Sequence, residues 1–587
     1  MRSISRTLFC LISQLPSDNF PDTIELSEKQ RKVIYTLLNM PETKRSTAHI
    51  IFSVISLLLF LFACGIVQYF IWSDLFVQEF DADVAENVIW AQAAIESGTL
   101  VNPDFYYNQL LPFGGQLIFI PVVQHFGVTL YALRLGMSIC SALFALVLAA
   151  FFLSLDWGFP LSFFSAAVIL MFLSGTSKLR DIFWSHVVHY NLPLFYLLLA
   201  FIFLSMAFRT GKKLRTAGLI CFEICLVLGS ANDIAVFLFF SAALFCGILL
   251  ERFLTDGIRG FLRKENLLLI AETLAGIAAG FILGKVLTAN ASTAYAEIFS
   301  QYSAADEWAQ NLLAFPNNWF TMFTTLPEDN IPFFSSVGIK LLIRLAAALF
   351  IAVLSLRSFF VFSRIRSRLE RTFLCAHWFI SAAILFFYVF GVISSTSWRI
   401  IPMFFTSLVT VLIVLKNDYH DLKSTVPAVQ LADFGTAASM LLYAGICSVT
   451  VFHQSISTEL WFGQGTILKT LADHSLSYGY NLDYWFTNSI TVLTDERIRV
   501  REVILRGDDY LIPSYHQSNI HWYEDQPDVD RYFLICQEDE FWRHPEFAEG
   551  AVETYRATQN RTFYEGTAGF FIFVYENNIF SDVSTES

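Results

Sequence analysis

The run Thr47–Trp72, TAHIIFSVISLLLFLFACGIVQYFIW, carries no Asp, Glu, Lys or Arg, and the acidic stretch Glu79-Phe-Asp81-Ala-Asp83-Val-Ala-Glu86 follows soon after it. About 20 apolar residues cross a bilayer as a helix. Ahead of the run lie Arg2, Arg6, Lys29, Arg31, Lys32, Lys44 and Arg45; behind it, 73–110 holds seven acids and no Lys or Arg. Basic flanks stay cytoplasmic, so the chain begins inside, as a tail over 1–46, and first emerges outside with its carboxylates. The short apolar run Leu8–Leu11 is no signal-peptide core.

Working outward gives eleven expected spans: 47–72, 129–155, 158–175, 190–208, 216–231, 233–251, 266–288, 338–357, 371–391, 397–416 and 433–452. The basic segments 209–215 and 357–371 read as inside. The stretch 289–336, with five acids and no Lys or Arg, reads as outside. Crossing parity between 73–110 and 209–215 then requires that 111–126, which opens Leu-Pro-Phe-Gly-Gly, lie along or dip into the outer face. The two large outer regions are 73–128 and 289–336.

The composition agrees. Of 587 residues 55% are hydrophobic and 15% charged, and the mean hydropathy is +0.53. A soluble domain carries roughly 25% charged residues. With a net charge of −13 and no basic stripe, the chain is no nucleic-acid binder. Residues 453–587 hold 9 Lys+Arg against 22 Asp+Glu, so the whole excess of acid sits there and 1–452 is neutral. The expected architecture is an all-α polytopic bundle over 47–452 carrying a small α/β extracytoplasmic domain over 453–587. Within that domain 466–472 reads as helix, and 498–505, 532–535 and 569–575 read as strands. Cys536 is its lone cysteine.

After Glu79–Glu86 an amphipathic surface helix is expected, with Ala85, Val88, Ile89, Gln92 and Ile95 on one stripe and Gly98 at its end. The spacing of Asp83 and Glu86 also suits a helix cap with a reciprocal Glu. On spacing alone that reading outweighs catalysis.

Taken together, Asp81-Ala-Asp83, Glu96-Ser-Gly98, Leu111-Pro112, Phe126-Gly127, Arg134 and Arg399-Ile-Ile-Pro402 resemble the GT-C superfamily of polyprenyl-phosphate-dependent glycosyltransferases, which includes the arabinose and mannose transferases acting on lipid A and on proteins. The likeness is most specific over 60–155. It implies transfer of a sugar, with inversion, from a polyprenyl-phosphate donor to a hydroxyl on a glycan, lipid or protein acceptor at the outer face of a bacterial plasma membrane. It implies a catalytic Asp: Asp83 by its distance to Gly98, with Asp81 second, since the acidic pair common in the family is absent. A divalent cation, Mg or Mn, is allowed but not required.

The chemistry needs a carboxylate to take the acceptor proton and cations to meet the leaving phosphate. Arg134 and Arg399 are the expected phosphate ligands because they match the family pattern. Lys285, Lys178, Arg180, His186 and His189 join them, as cations near a face otherwise bare of positive charge. Snorkelling to lipid headgroups is the competing reading for each. His186 and His189, at i and i+3, share a face if helical. Glu86, Tyr106, Tyr107, Asn108 and Trp485 are candidates for the acceptor or sugar. Asn232-Asp233 reads as a turn. Asn290-Ala-Ser and Asn560-Arg-Thr match glycosylation acceptors, a pattern that chance also produces. The competing functions are a lipid or glycan transporter, a glycan polymerase, and an inactive scaffold of the same fold.

Overall fold

The computed structural model describes residues 42–78, 80–186, 191–209, 211–293, 301–324, 326, 330–392, 396–420, 427–453, 458–506, 510–514, 516–560 and 567–580. His189, expected as a donor ligand, lies outside them.

Each expected span falls on a helix. The helices are α1 (Glu42–Trp72), α2 (Ala82–Ser97), α3 (Gln116–Phe126), α4 (Leu130–Ser154), α5 (Phe159–Leu173), α6 (Asn191–Ala207) and α7 (Lys212–Ser230). They continue as α8 (Ala243–Phe261), α9 (Lys264–Leu287), α10 (Trp308–Thr321), α11 (Ser336–Val361), α12 (Arg368–Phe390), α13 (Ile401–His420) and α14 (Pro427–His453). Eight among the described residues are long and apolar enough to cross a membrane, which makes the chain an integral membrane protein. The other three expected spans differ from a simple crossing. α6 has 17 residues. α7 carries Lys212, Lys213, Arg215 and Glu223.

The third departs most. The expected straight span 158–175 stops at Leu173 and turns by 115° into Ser177–Ser185. Thr176 starts the new direction, its side chain accepting from the Leu179 amide at 3.1 Å. A π-helical turn, Asp181–Ser185, completes it; such turns cluster at functional sites. α3, with 11 residues, is about 16 Å long, too short to cross about 30 Å of hydrocarbon. The preceding Phe113 is pinned by Asn232 Oδ1, which accepts from its amide at 3.0 Å, and by the Tyr196 hydroxyl, which donates to its carbonyl at 2.9 Å.

Small residues bring spans together. α7 and α9 pack so closely that a Cβ on Gly280 would lie 2.5 Å from the Val227 carbonyl oxygen. Without a hydrophobic drive inside lipid, such backbone approach is a main source of helix association.

Beyond α14 come helices α15 (Thr458–Asp473), α16 (Thr487–Leu493) and α17 (Glu538–Arg543) and a six-stranded mixed sheet. Its strands are β3 (Tyr478–Asn481), β4 (Arg499–Arg506), β5 (Tyr510–Pro513), β7 (Tyr532–Gln537), β8 (Glu553–Asn560) and β9 (Thr567–Tyr575), in the order β5-β4-β3-β7-β9-β8. β3 runs parallel to both β4 and β7 and is buried along its length, which places it at the centre. A second, three-stranded sheet ties this region to two connecting loops of the bundle: β1 (Phe105–Tyr107) pairs with β2 (Ser292–Thr293) and with β6 (Ser518–Asn519). The apolar core of the bundle continues into this region through Val492 and Trp522.

Helix α2 is therefore not the half-exposed surface helix its periodicity suggests. Residues Ala82, Val84–Ala91, Ala93 and Ala94 are buried, because α3 covers one side and α16 the other. Only its C-terminal end, with Ile95 and Glu96, is open to solvent.

Candidate active site

The start of α2 settles which Asp is the cap. Asp81 has extended backbone, φ −135° and ψ −175°, and its Oδ1 accepts from the Val84 amide at 3.1 Å. Asp83 sits one residue inside the helix, so it is not the cap that its spacing suggested. At the far end Gly98 takes the left-handed conformation, φ 67°, that closes the helix. Nor does Glu86 reach back to any cap. It is fully buried, and its Oε1 accepts from Asn108 Nδ2 and from Gln517 Nε2. Gln517, buried at φ 52°, also accepts from the Trp90 indole and donates its amide to the Tyr106 carbonyl at 2.9 Å. Glu86 and Gln517 thus hold the first outer loop and the C-terminal region together.

Freed from capping, Asp83 meets Tyr484 from the far end of the chain. The phenol donates to Asp83 Oδ1 at 2.6 Å. The ring of Tyr484 lies 4.6 Å from that of His516, whose Nδ1 is 3.3 Å from Glu502 Oε2. A carboxylate with one oxygen held by a phenol is oriented, with its second oxygen left for a substrate proton.

The sharp turn after α5 brings opposite charges to the same place. Lys178 Nζ lies 2.7 Å from Asp181 Oδ2. His186 Nε2 lies 3.3 Å from Asp181 Oδ1 and 3.9 Å from Asp81 Oδ1. Lys178 also stands over the Trp398 ring, 4.4 Å from its centre. That contact brings Trp398, in the turn Ser397–Ile400 that also carries Arg399, against Lys178. Burial, then the negative charges of Asp181 and Asp83, push the Asp81 carboxyl up from 3.8 to about 7.

The remaining candidates separate. Arg180 is buried, donates to the Ser174 carbonyl at 3.3 Å and lies over Phe70. Arg134 donates to the Ser73 carbonyl at 3.0 Å, tying α4 to the end of α1. Lys285 is exposed over Phe281 of its own helix and has no contact with the carboxylate group among the described residues. Tyr107 is core, its hydroxyl accepting from the Asn102 amide at 2.9 Å. Trp485 is 48% exposed beside Tyr484. No three His, Cys, Asp or Glu side chains among the described residues converge as metal ligands. The carboxylates present already face Lys178 and His186, so these residues do not by themselves form a divalent-ion site.

A helix buried behind the first span, a broken third span and a mixed-sheet region closing over both form a distinctive chain path. The crystal structure of ArnT from Cupriavidus metallidurans in the apo state follows it, with a TM-score of 0.50 at 12% sequence identity over 90% of this chain and 98% of that one. The fold is ArnT-like. A second ArnT structure from the same organism, bound to undecaprenyl phosphate, gives 0.49 at 11% identity, again over 90% and 98%. No family model and no curated protein matches the chain. At this identity the likeness to ArnT describes the fold, a helical bundle with a C-terminal domain, and leaves the chemistry to be argued from side chains.

Four residues of this candidate site escaped the sequence reading: Tyr484, Asp181, Gln517 and His516. Asp181 lay in view, three residues from Lys178 and five from His186. The distance of Tyr484 from Asp83, 401 residues along the chain, left no local signal.

Proposed function

We propose that the protein is a membrane glycosyltransferase that moves a sugar from a polyprenyl-phosphate donor to a hydroxyl acceptor at the outer face of the membrane, with Asp83 as general base. The observation that carries this reading is a phenol-held carboxylate within electrostatic reach of a cationic group: Asp83, held by Tyr484, whose charge acts on both Lys178 and His186. The donor class rests on the GT-C resemblance of the outer loop, and the ArnT-like fold supports it.

In this mechanism the acceptor oxygen attacks the anomeric carbon while Asp83 Oδ2 takes its proton. The bond from that carbon to the phosphate oxygen breaks. The charge gained by the lipid phosphate is met by Lys178, Arg399 and His186 in a partly dry site, where fixed charges act strongly. Asp81 is held at the end of α2, with its Oδ1 committed to the Val84 amide, which leaves Asp83 as the carboxylate not engaged in capping.

The test is transfer by the full chain reconstituted in vesicles with a radiolabelled polyprenyl-phosphate sugar. The reading predicts label released from the lipid and recovered in a hydroxyl-linked product. A donor that binds and stays intact, with every acceptor class tried, contradicts it.

A further inference from the structure

A cavity of about 270 Å³ opens at the other end of α2, between that helix and the C-terminal sheet. Gln92 and Glu96 of α2 form one wall; Tyr478, Arg499, Arg501 and Trp522 form another. Asp83 and Glu96 are thirteen residues apart on one helix, which puts the cavity about 20 Å from the catalytic carboxylates.

The two arginines are placed together by strand geometry. Arg499 and Arg501 alternate with Val500 on β4, so they share one face while Val500 enters the core on the other. Arg501 is 2% exposed and lies flat on Trp522, 3.6 Å from the ring centre, while its Nε and Nη1 make no hydrogen bond. Arg499 lies over Tyr478 at 4.9 Å, and its one ion pair among the described residues is a 3.7 Å contact with exposed Asp528. Two acids also line the cavity, each holding an amide: Glu96 accepts from Asn519 at 3.1 Å and Glu496 from Gln92 at 3.2 Å. Guanidinium donors buried without acceptors are costly. Two guanidiniums placed over aromatic rings offer the planar donor edge that binds carboxylate or phosphate in pairs of hydrogen bonds.

We propose that this cavity is an acceptor subsite that binds an anionic sugar unit, one bearing a phosphate or a carboxylate, with Arg501 and Arg499 on the charge and the amides of Gln92, Asn519 and Gln526 on the hydroxyls. Calling the ligand part of the acceptor rests on the proposed function; the binding itself does not. The subsite selects acceptors that extend about 20 Å from the hydroxyl being glycosylated.

Calorimetric titration of the full chain in detergent, without donor, tests the binding apart from transfer. Glucose 6-phosphate and glucuronate are the probes, with glucose and inorganic phosphate as the neutral and sugar-free arms. The expected result is saturable binding of at least one anionic sugar, at least tenfold tighter than either control arm. Arg501→Gln and, separately, Arg499→Gln should each weaken it at least tenfold, and Arg501→Lys should weaken it less than Arg501→Gln. No saturable binding of either anionic sugar, equal binding of glucose, equal binding of free phosphate, or unchanged affinity in Arg499→Gln with the parental melting temperature would each overturn the proposal.

Discussion

The hydroxyl of Tyr484 donates to Oδ1 of Asp83 at 2.6 Å, joining the first loop after α1 to the C-terminal domain. A hydrogen bond to a charged group contributes about 1.5–3 kcal/mol. Tyr484→Phe keeps the ring against Trp485 and His516 but loses the donor. It should fold normally and lose about 10–100-fold in turnover with little change in donor affinity. Transfer kinetics with the melting temperature measured in parallel check this; parental turnover would remove Tyr484 from the site.

Asp81 gives a prediction with a definite pH sign. Its folded pKa, about 7, lies above the ordinary 3.8, so the folded state holds the proton more tightly. Stability from this group is present at low pH and falls as pH rises from about 4 to about 7. Asp81→Asn keeps the cap, since Asn and Asp cap equally well, and removes the ionisation. The variant should gain melting temperature over the parent at pH 8 and clearly less, about 40% of that gain, at pH 5. An equal difference at both values would contradict the assignment.

Eight of the eleven expected spans were legible as membrane-crossing helices because hydropathy and the Lys/Arg asymmetry are summed over many residues. The break at 174–176 was not, because Ser174, Gly175 and Thr176 barely lower the mean of an apolar window, while the Thr176 cap and the turn to Asp181 are local events. The buried state of α2 was hidden for a different reason. Ala85, Val88 and Ile89 mark one apolar stripe, but the other side is covered by α16, some 400 residues away in sequence. Asp81 and Asp83 were both visible as candidates, yet spacing favoured Asp83 as the cap; the backbone conformation of Asp81 decided otherwise. β3 was missed because four residues, one of them Gly479, give no alternation to read.

Glu86 is a structural tie rather than an acceptor ligand. Glu86→Ala leaves the amides of Asn108 and Gln517 without their shared acceptor in a buried setting. Each such unmet group costs about 1–3 kcal/mol. The melting temperature should fall by several degrees at every pH, with limited proteolysis between the bundle and the C-terminal domain becoming faster. Intact stability in this variant would return Glu86 to the list of substrate ligands.

The cations divide into two groups. Lys178→Gln and Arg399→Gln should lower turnover about 10²–10³-fold, the scale for removing one electrostatic stabiliser of a developing anion. Arg134→Gln, which releases the Ser73 carbonyl, should lower thermal stability first. Donor binding and turnover measured on all three, each with its melting curve, sort them. A normal melting curve with lost donor binding in Arg134→Gln would place that arginine on the phosphate.

The most direct test of the account is Asp83→Asn. Asp81 already caps the helix, so the substitution changes neither the cap nor the size of the side chain and removes only the proton acceptor. Single-turnover transfer of a labelled sugar from a polyprenyl-phosphate donor should fall about 10²–10⁴-fold while donor binding and the melting temperature stay at parental values. Parental single-turnover rates in Asp83→Asn, with Asp81→Asn losing the activity instead or neither losing it, would contradict Asp83 as the base.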